Sequence, residues 1–167
     1  MPAIAFATLR SSAIAFAVVL AGSTLGCVEQ REVRRNETSP IEDGQPMTIL
    51  TEWHGSQSER EEPDFQVIRD QRAWEQAWDA LPTDDSVPEV DFDQQLVLAA
   101  WMGQRMTGGY AIRIRDIRPT ADGEAFEAIL EHREPGPDEF VTQALTAPYH
   151  IVVIPRTDKE IRPRVVE

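Results

Sequence analysis

Apolar positions change their period several times along the chain, and each change predicts an element. Residues 48–54 alternate in part and predict a first short strand; residues 65–69 predict a second. Over 70–81 the period becomes helical, with Trp74, Ala77, Trp78 and Leu81 at spacings of three and four on one stripe. Asp70 is placed to cap that helix, because its carboxylate can accept from a free amide of the first turn. Pro82 is placed to stop it. Residues 96–102 (Leu-Val-Leu-Ala-Ala-Trp-Met) form an unbroken apolar run, the pattern of a strand covered on both faces. Residues 110–117 alternate instead, with Tyr110, Ile112 and Ile114 pointing one way and Arg113 and Arg115 the other. Ala121-Asp122-Gly123 supplies a turn before 124–132, where Phe126, Ala128 and Leu130 share a face. Residues 149–154 predict the last strand, closed by Pro155; the tail from about 156 mixes charges with isolated aliphatics and predicts no element. The sum is an α+β domain: a largely antiparallel sheet of about five to six strands packed with one amphipathic helix over 70–81.

A different pattern precedes this domain. Residues 12–22 form a short apolar core behind Arg10, with no acid before Glu29, which is a secretory leader, too short for a membrane span. It runs into Ser23-Thr24-Leu25-Gly26-Cys27, and Cys27 is the only cysteine. A lone cysteine cannot close a disulfide within the chain. The segment resembles the lipobox of bacterial lipoproteins, with Gly26 in its usual place and Thr24 and Leu25 departing from the common pattern. That resemblance implies residues 1–26 as a lipoprotein signal peptide and Cys27 as the site of lipid attachment. The alternative is an ordinary leader cut nearby, with Cys27 left as a free thiol. Residues 27–46 are charged and poor in apolar side chains, a flexible tether by composition. Residues 47–167 have the size of one globular domain.

Charge narrows the partners. The chain carries a formal −13, which disfavours nucleic acid phosphates and anionic lipid headgroups. Contact with a membrane is expected only through lipidated Cys27, and Val28 after it leans toward the outer membrane or cell surface.

The order of several segments then becomes specific. Trp74, Trp78 and Leu81 on a helix are followed by Pro88-Glu89-Val90-Asp91-Phe92, the buried run, Gly103, Thr107-Gly108-Gly109-Tyr110, and Thr146-Ala147-Pro148-Tyr149-His150-Ile151-Val152-Val153-Ile154-Pro155. This order resembles the C-terminal domain of the protease-complex subunit PrcB family, over roughly 65–156. The resemblance implies association rather than catalysis: an accessory or stabilising subunit of an exported, subtilisin-like protease, whose catalytic triad belongs to the partner. Another envelope protein could take the partner's place. The competing reading is a small-ligand module binding glycans or peptides of the cell envelope.

Side chains able to carry chemistry are sparse. His54, His132 and His150 fall on three different predicted strands, with no HExxH and no G-x-S-x-G elbow. No catalytic residue, cofactor or metal is expected. Asp91 and Asp93 straddle Phe92 and read as a solvated negative edge. Gly108-Gly109 permits positive φ and close backbone approach, so Thr107, Gly108, Gly109 and Tyr110 form a candidate interaction site. The same glycines suit a bulge or turn that aims Tyr110 into the sheet, and this is the favoured reading because a glycine in a strand context usually has a backbone cause. Residues 134–138 (Glu-Pro-Gly-Pro-Asp) form a rigid polar turn and a candidate interaction loop. Trp74, Trp78 and Trp101 read as core, which leaves Trp53 as the candidate exposed platform for a sugar ring.

Overall fold

The computed structural model describes residues 45–166; the leader, Cys27 and nearly all of the proposed tether lie outside that range. Seven strands and one helix follow in the order β1 (Thr51–Gly55), β2 (Asp64–Ile68), α1 (Gln71–Trp78), β3 (Gln95–Trp101), β4 (Ala111–Pro119), β5 (Ala125–Arg133), β6 (Tyr149–Pro155) and β7 (Glu160–Val166). The α+β class holds, but the strands divide between two sheets. One is four-stranded and antiparallel in the order β1-β6-β3-β2; the other has the order β4-β5-β7. In the second sheet β4 pairs antiparallel with β5, and β7 adds parallel to β5. The tail past 156, assigned no element from sequence, supplies β7. Its alternation is interrupted by Pro163, tolerated because β7 is an edge strand.

The unbroken apolar run became β3 because both of its faces are covered. Leu96, Leu98, Ala100 and Met102 join Val152 and Ile154 of β6, and pack against Ile112, Ile114, Ile117, Phe126, Ala128, Leu130 and Ile161 of the second sheet. Val97, Ala99 and Trp101 point the other way, with Ile151 and Val153, onto α1 and the loop after it. The layers are therefore helix, four-stranded sheet, three-stranded sheet.

Helix α1 begins as its cap predicts. Asp70 has extended backbone geometry and its carboxylate accepts the Ala73 amide at 3.0 Å. It ends at Trp78, short of the expected 81; Leu81 N–H closes a tighter turn on the Trp78 carbonyl at 2.9 Å, since Pro82 disfavours helical geometry at Leu81. Its buried stripe is Trp74, Ala77 and Trp78. The indole N–H of Trp74 donates to the Pro88 carbonyl at 2.9 Å and that of Trp78 to the Asp85 carbonyl at 3.2 Å, pinning the following loop across the helix. Asp91 is a turn residue rather than part of a strand edge: its carboxylate accepts the Asp93 amide at 3.0 Å and its carbonyl accepts the Gln95 amide at 2.7 Å, launching β3.

Candidate functional site

Two connections, residues 102–110 between β3 and β4 and residues 134–148 between β5 and β6, meet at one end of the sandwich. Arg105 and Thr146 exchange backbone hydrogen bonds at 2.7 and 2.9 Å, the Thr146 hydroxyl donates to the Thr107 carbonyl at 2.8 Å, and Gly108 N–H donates to the Thr142 carbonyl at 2.9 Å. Gly103, at φ +75°, turns the chain against the loop before β2, where an added Cβ would lie 2.8 Å from the Glu61 carbonyl oxygen. Arg133 and Glu139 form an ion pair at 2.6 Å, and the Arg133 guanidinium also donates to the Gly109 carbonyl. Hydrogen bonding to Arg133, then to the Gly136 amide, holds the Glu139 carboxyl below its usual pKa. Both loops are thus held by specific bonds, yet they present large apolar side chains to solvent. Phe140 is fully exposed, Met106 is 78% exposed and Leu145 51%. Apolar groups held outward on braced loops form a surface suited to covering by another protein.

The glycine pair sits beneath this surface rather than on it. A Cβ on Gly108 would fall 2.4 Å from the Thr142 hydroxyl; one on Gly109, at φ +89°, would fall 2.8 Å from Val141 and 2.9 Å from Pro135. The close approach that the glycines allow is made by the molecule's own 134–142 loop. Thr107 is half-buried and engaged through its carbonyl. Tyr110 is half-buried, packs on the inter-sheet core and carries the Arg105 guanidinium 5.6 Å from its ring centre. Trp53, expected as an exposed platform, is half-buried against the helix. Its ring lies 5.7 Å from Trp74 and 5.5 Å from Trp78, so part of it packs on the helix. Cys27 lies outside the described residues.

The histidines are split. His54 is exposed and His132 half-buried; burial first, then the Arg105 charge, lowers the His132 pKa. His150 is 1% exposed, in the seam between the sheets. The Ile114 amide donates to its Nδ1 at 2.9 Å, so the neutral ring carries its proton on Nε2, which faces the Glu52 carboxylate at 3.3 Å. Burial lowers its pKa, with Glu52 opposing. With both nitrogens engaged, His150 is a structural bracket rather than a free base. No group of three or more His, Cys, Asp or Glu among the described residues is placed to hold a metal ion.

Sequence reasoning named the 134–138 turn but missed Met106, Phe140 and Leu145. Phe140, a lone aromatic in a polar loop between Glu139 and Val141, was the available signal. Fold and site together define an α+β domain with a braced end that holds large apolar side chains in solvent. Residues 96–155, spanning nearly all of β3 through β6, match the family model described as PrcB C-terminal, and the match supports membership of the PrcB family. No curated protein and no solved structure matches the chain.

Proposed function

We propose that this chain is a non-catalytic accessory subunit of an exported, subtilisin-like protease, held on the cell envelope by a lipidated Cys27. The observation that carries the interaction is the trio Met106, Phe140 and Leu145 on two hydrogen-bonded loops. Covering such side chains contributes about 1.5–3 kcal/mol each, and ordering costs little where the loops are already fixed. The PrcB resemblance supports the choice of a protease as the partner, and the lipobox-like segment supports the anchor.

The test is a Met106→Ser, Phe140→Ser double variant, compared with the parent by in-cell crosslinking and affinity capture. We expect the parent to recover an exported serine protease in near-stoichiometric yield and the variant to lose it, at unchanged membrane retention and with stability altered by less than about 1 kcal/mol. Equal recovery by both chains would remove this surface from the interface. A Cys27→Ser chain should leave the membrane fraction; its retention there would remove the lipid anchor.

A further inference from the structure

Strand β4 is an edge strand, and its outward backbone groups can be followed residue by residue. Ile114 sends its N–H away from β5, to His150, which sets the parity of the strand before its bulge at Arg115. Beyond the bulge, the Ile117 carbonyl accepts the Met47 amide at 2.9 Å. The C-terminal half of this edge is therefore closed by the chain itself. Ile112, two residues before Ile114, directs its N–H and C=O to the same edge, and neither has a partner there among the described residues.

Two hollows flank this unpaired unit and share Ala111, Ile112 and Arg113 as walls. One, of about 380 Å³, lies toward β1 and β6, with Tyr110, Tyr149 and His54 on its walls. The other, of about 480 Å³, lies against β5, with Glu131, His132, Arg133 and Glu134. Ile112 is itself only 5% exposed, so its unpaired groups are reached through these hollows; a strand laid along an edge sends alternate side chains to opposite faces, and one unpaired unit between two hollows suits an extended peptide.

Charge selects among such peptides. Arg113 is exposed and meets Glu52 only at 3.9 Å; Arg115, on the bulge, has no acidic partner within 4 Å among the described residues. A second copy pairing edge to edge would bring its own Arg113 and Arg115 against these, like charge to like. We infer that the Ile112 edge of β4 binds an extended segment of a partner protein, alternating apolar and acidic residues, by strand addition. The inference rests on the reading of this chain as a protein-binding subunit and adds a second contact to the loop end.

The probe is acetyl-Glu-Val-Glu-Val-Glu-Val-amide, titrated into the ¹⁵N-labelled full chain. In the free protein the Ile112 amide should exchange faster than the Ile114 amide. Saturating peptide should slow Ile112 exchange at least tenfold. Methylating one set of amides, the valines or the glutamates, should abolish binding and methylating the other set should not, because only one set faces the edge. An Arg113→Glu, Arg115→Glu variant should bind this peptide at least tenfold more weakly and should gain affinity for the lysine-for-glutamate peptide. The Met106→Ser, Phe140→Ser variant should bind the acidic peptide like the parent. Unchanged Ile112 exchange at millimolar peptide, or equal binding of the lysine peptide by the parent, would overturn the inference. Binding that appears only after deletion of residues 28–44 would assign the edge to this chain's own segment instead. If the peptide fails while the loop variant still loses its protease, the inference falls and the proposed function stands. If the parent captures no protease yet binds the peptide, the reverse holds.

Discussion

The two sheets of this domain are built from similar residues and serve different ends. The four-stranded sheet has its central strands β3 and β6 covered on both faces, by a tryptophan-lined helix layer on one side and the aliphatic inter-sheet layer on the other. The three-stranded sheet is covered on one face only. Its outer face carries Arg113, Arg118, Arg162 and Arg164 beside Asp116, Glu127, Glu131 and Glu160, and its β4 edge is closed only in part. Strands such as β3 and β6, paired on both sides and covered on both faces, are fixed by packing and have no backbone to spare. A sheet buried once can keep an edge and a set of loops available, provided the first sheet supplies the stability. In this molecule the doubly covered layer holds most of the largest fully buried side chains, and the β4 edge together with the loops that join the two sheets bears the surfaces assigned to partners.

The sharpest way to break this contrast is to remove a side chain from the doubly covered layer. Trp74→Ala empties the centre of a cluster in which Trp78 lies 5.2 Å and Trp53 5.7 Å away, and it frees the Pro88 carbonyl. We expect about 3–5 kcal/mol of lost stability by urea denaturation. A loss under 1 kcal/mol would show that this layer is not where stability resides.

The seam comes next. His150→Leu leaves the Ile114 amide buried and unpaired, which costs about 1–3 kcal/mol, whereas His150→Gln keeps an acceptor and should cost less. The pH dependence has a definite sign. Burial lowers the folded-state pKa of His150, so below its ordinary value, near 6.5, the unfolded chain binds more protons than the folded one. The stability held above about pH 6.5 is lost as pH falls through the lowered pKa. His132, also lowered, adds a slope of the same sign. Asp122, Glu139 and Glu160, lowered by hydrogen bonds, contribute only further down, below the usual carboxylate values. Between pH 6.5 and 5, His150→Leu should therefore flatten the curve of stability against pH without abolishing its slope. An unchanged slope would show that the bracket does not titrate.

The smallest effect belongs to the outer face. Arg164 pairs with Glu127 at 3.2 Å with its side chain 62% exposed, so Arg164→Ala should cost less than about 1 kcal/mol and less still in high salt. A larger loss would mean that the outer face is structural as well.

Much of this was legible in the chain. The helical stripe of Trp74, Ala77 and Trp78, the Asp70 cap and the buried run of β3 follow from local periodicity and capping chemistry, and all form where expected. Strand β7 was not legible. Its sequence, Glu-Ile-Arg-Pro-Arg-Val-Val, has too few apolar positions to announce itself; it becomes a strand because β5 offers a parallel edge. The bulge at Arg115 was equally hidden. Strict alternation places Ile112 and Ile114 on one face, yet Ile117 reaches the same core only because the inserted residue resets the phase. Of the site residues, Gly108 and Gly109 were found for the right physical reason, close backbone approach, although the approaching chain is the protein's own loop.

The sequence by itself determined the charge of the chain, the class of its fold, the order of its elements from β1 to β6 and the absence of a familiar catalytic motif, because composition, periodicity and caps act within a few residues. Tertiary structure alone decided that the strands divide into two sheets, that His150 brackets them, that Trp53 packs half-buried on the helix, that Met106 and Phe140 stand exposed, and that the outward backbone groups of Ile112 are left without a partner among the described residues. Each of these depends on what lies across the fold from a residue, and no local pattern encodes its partner over tens of positions.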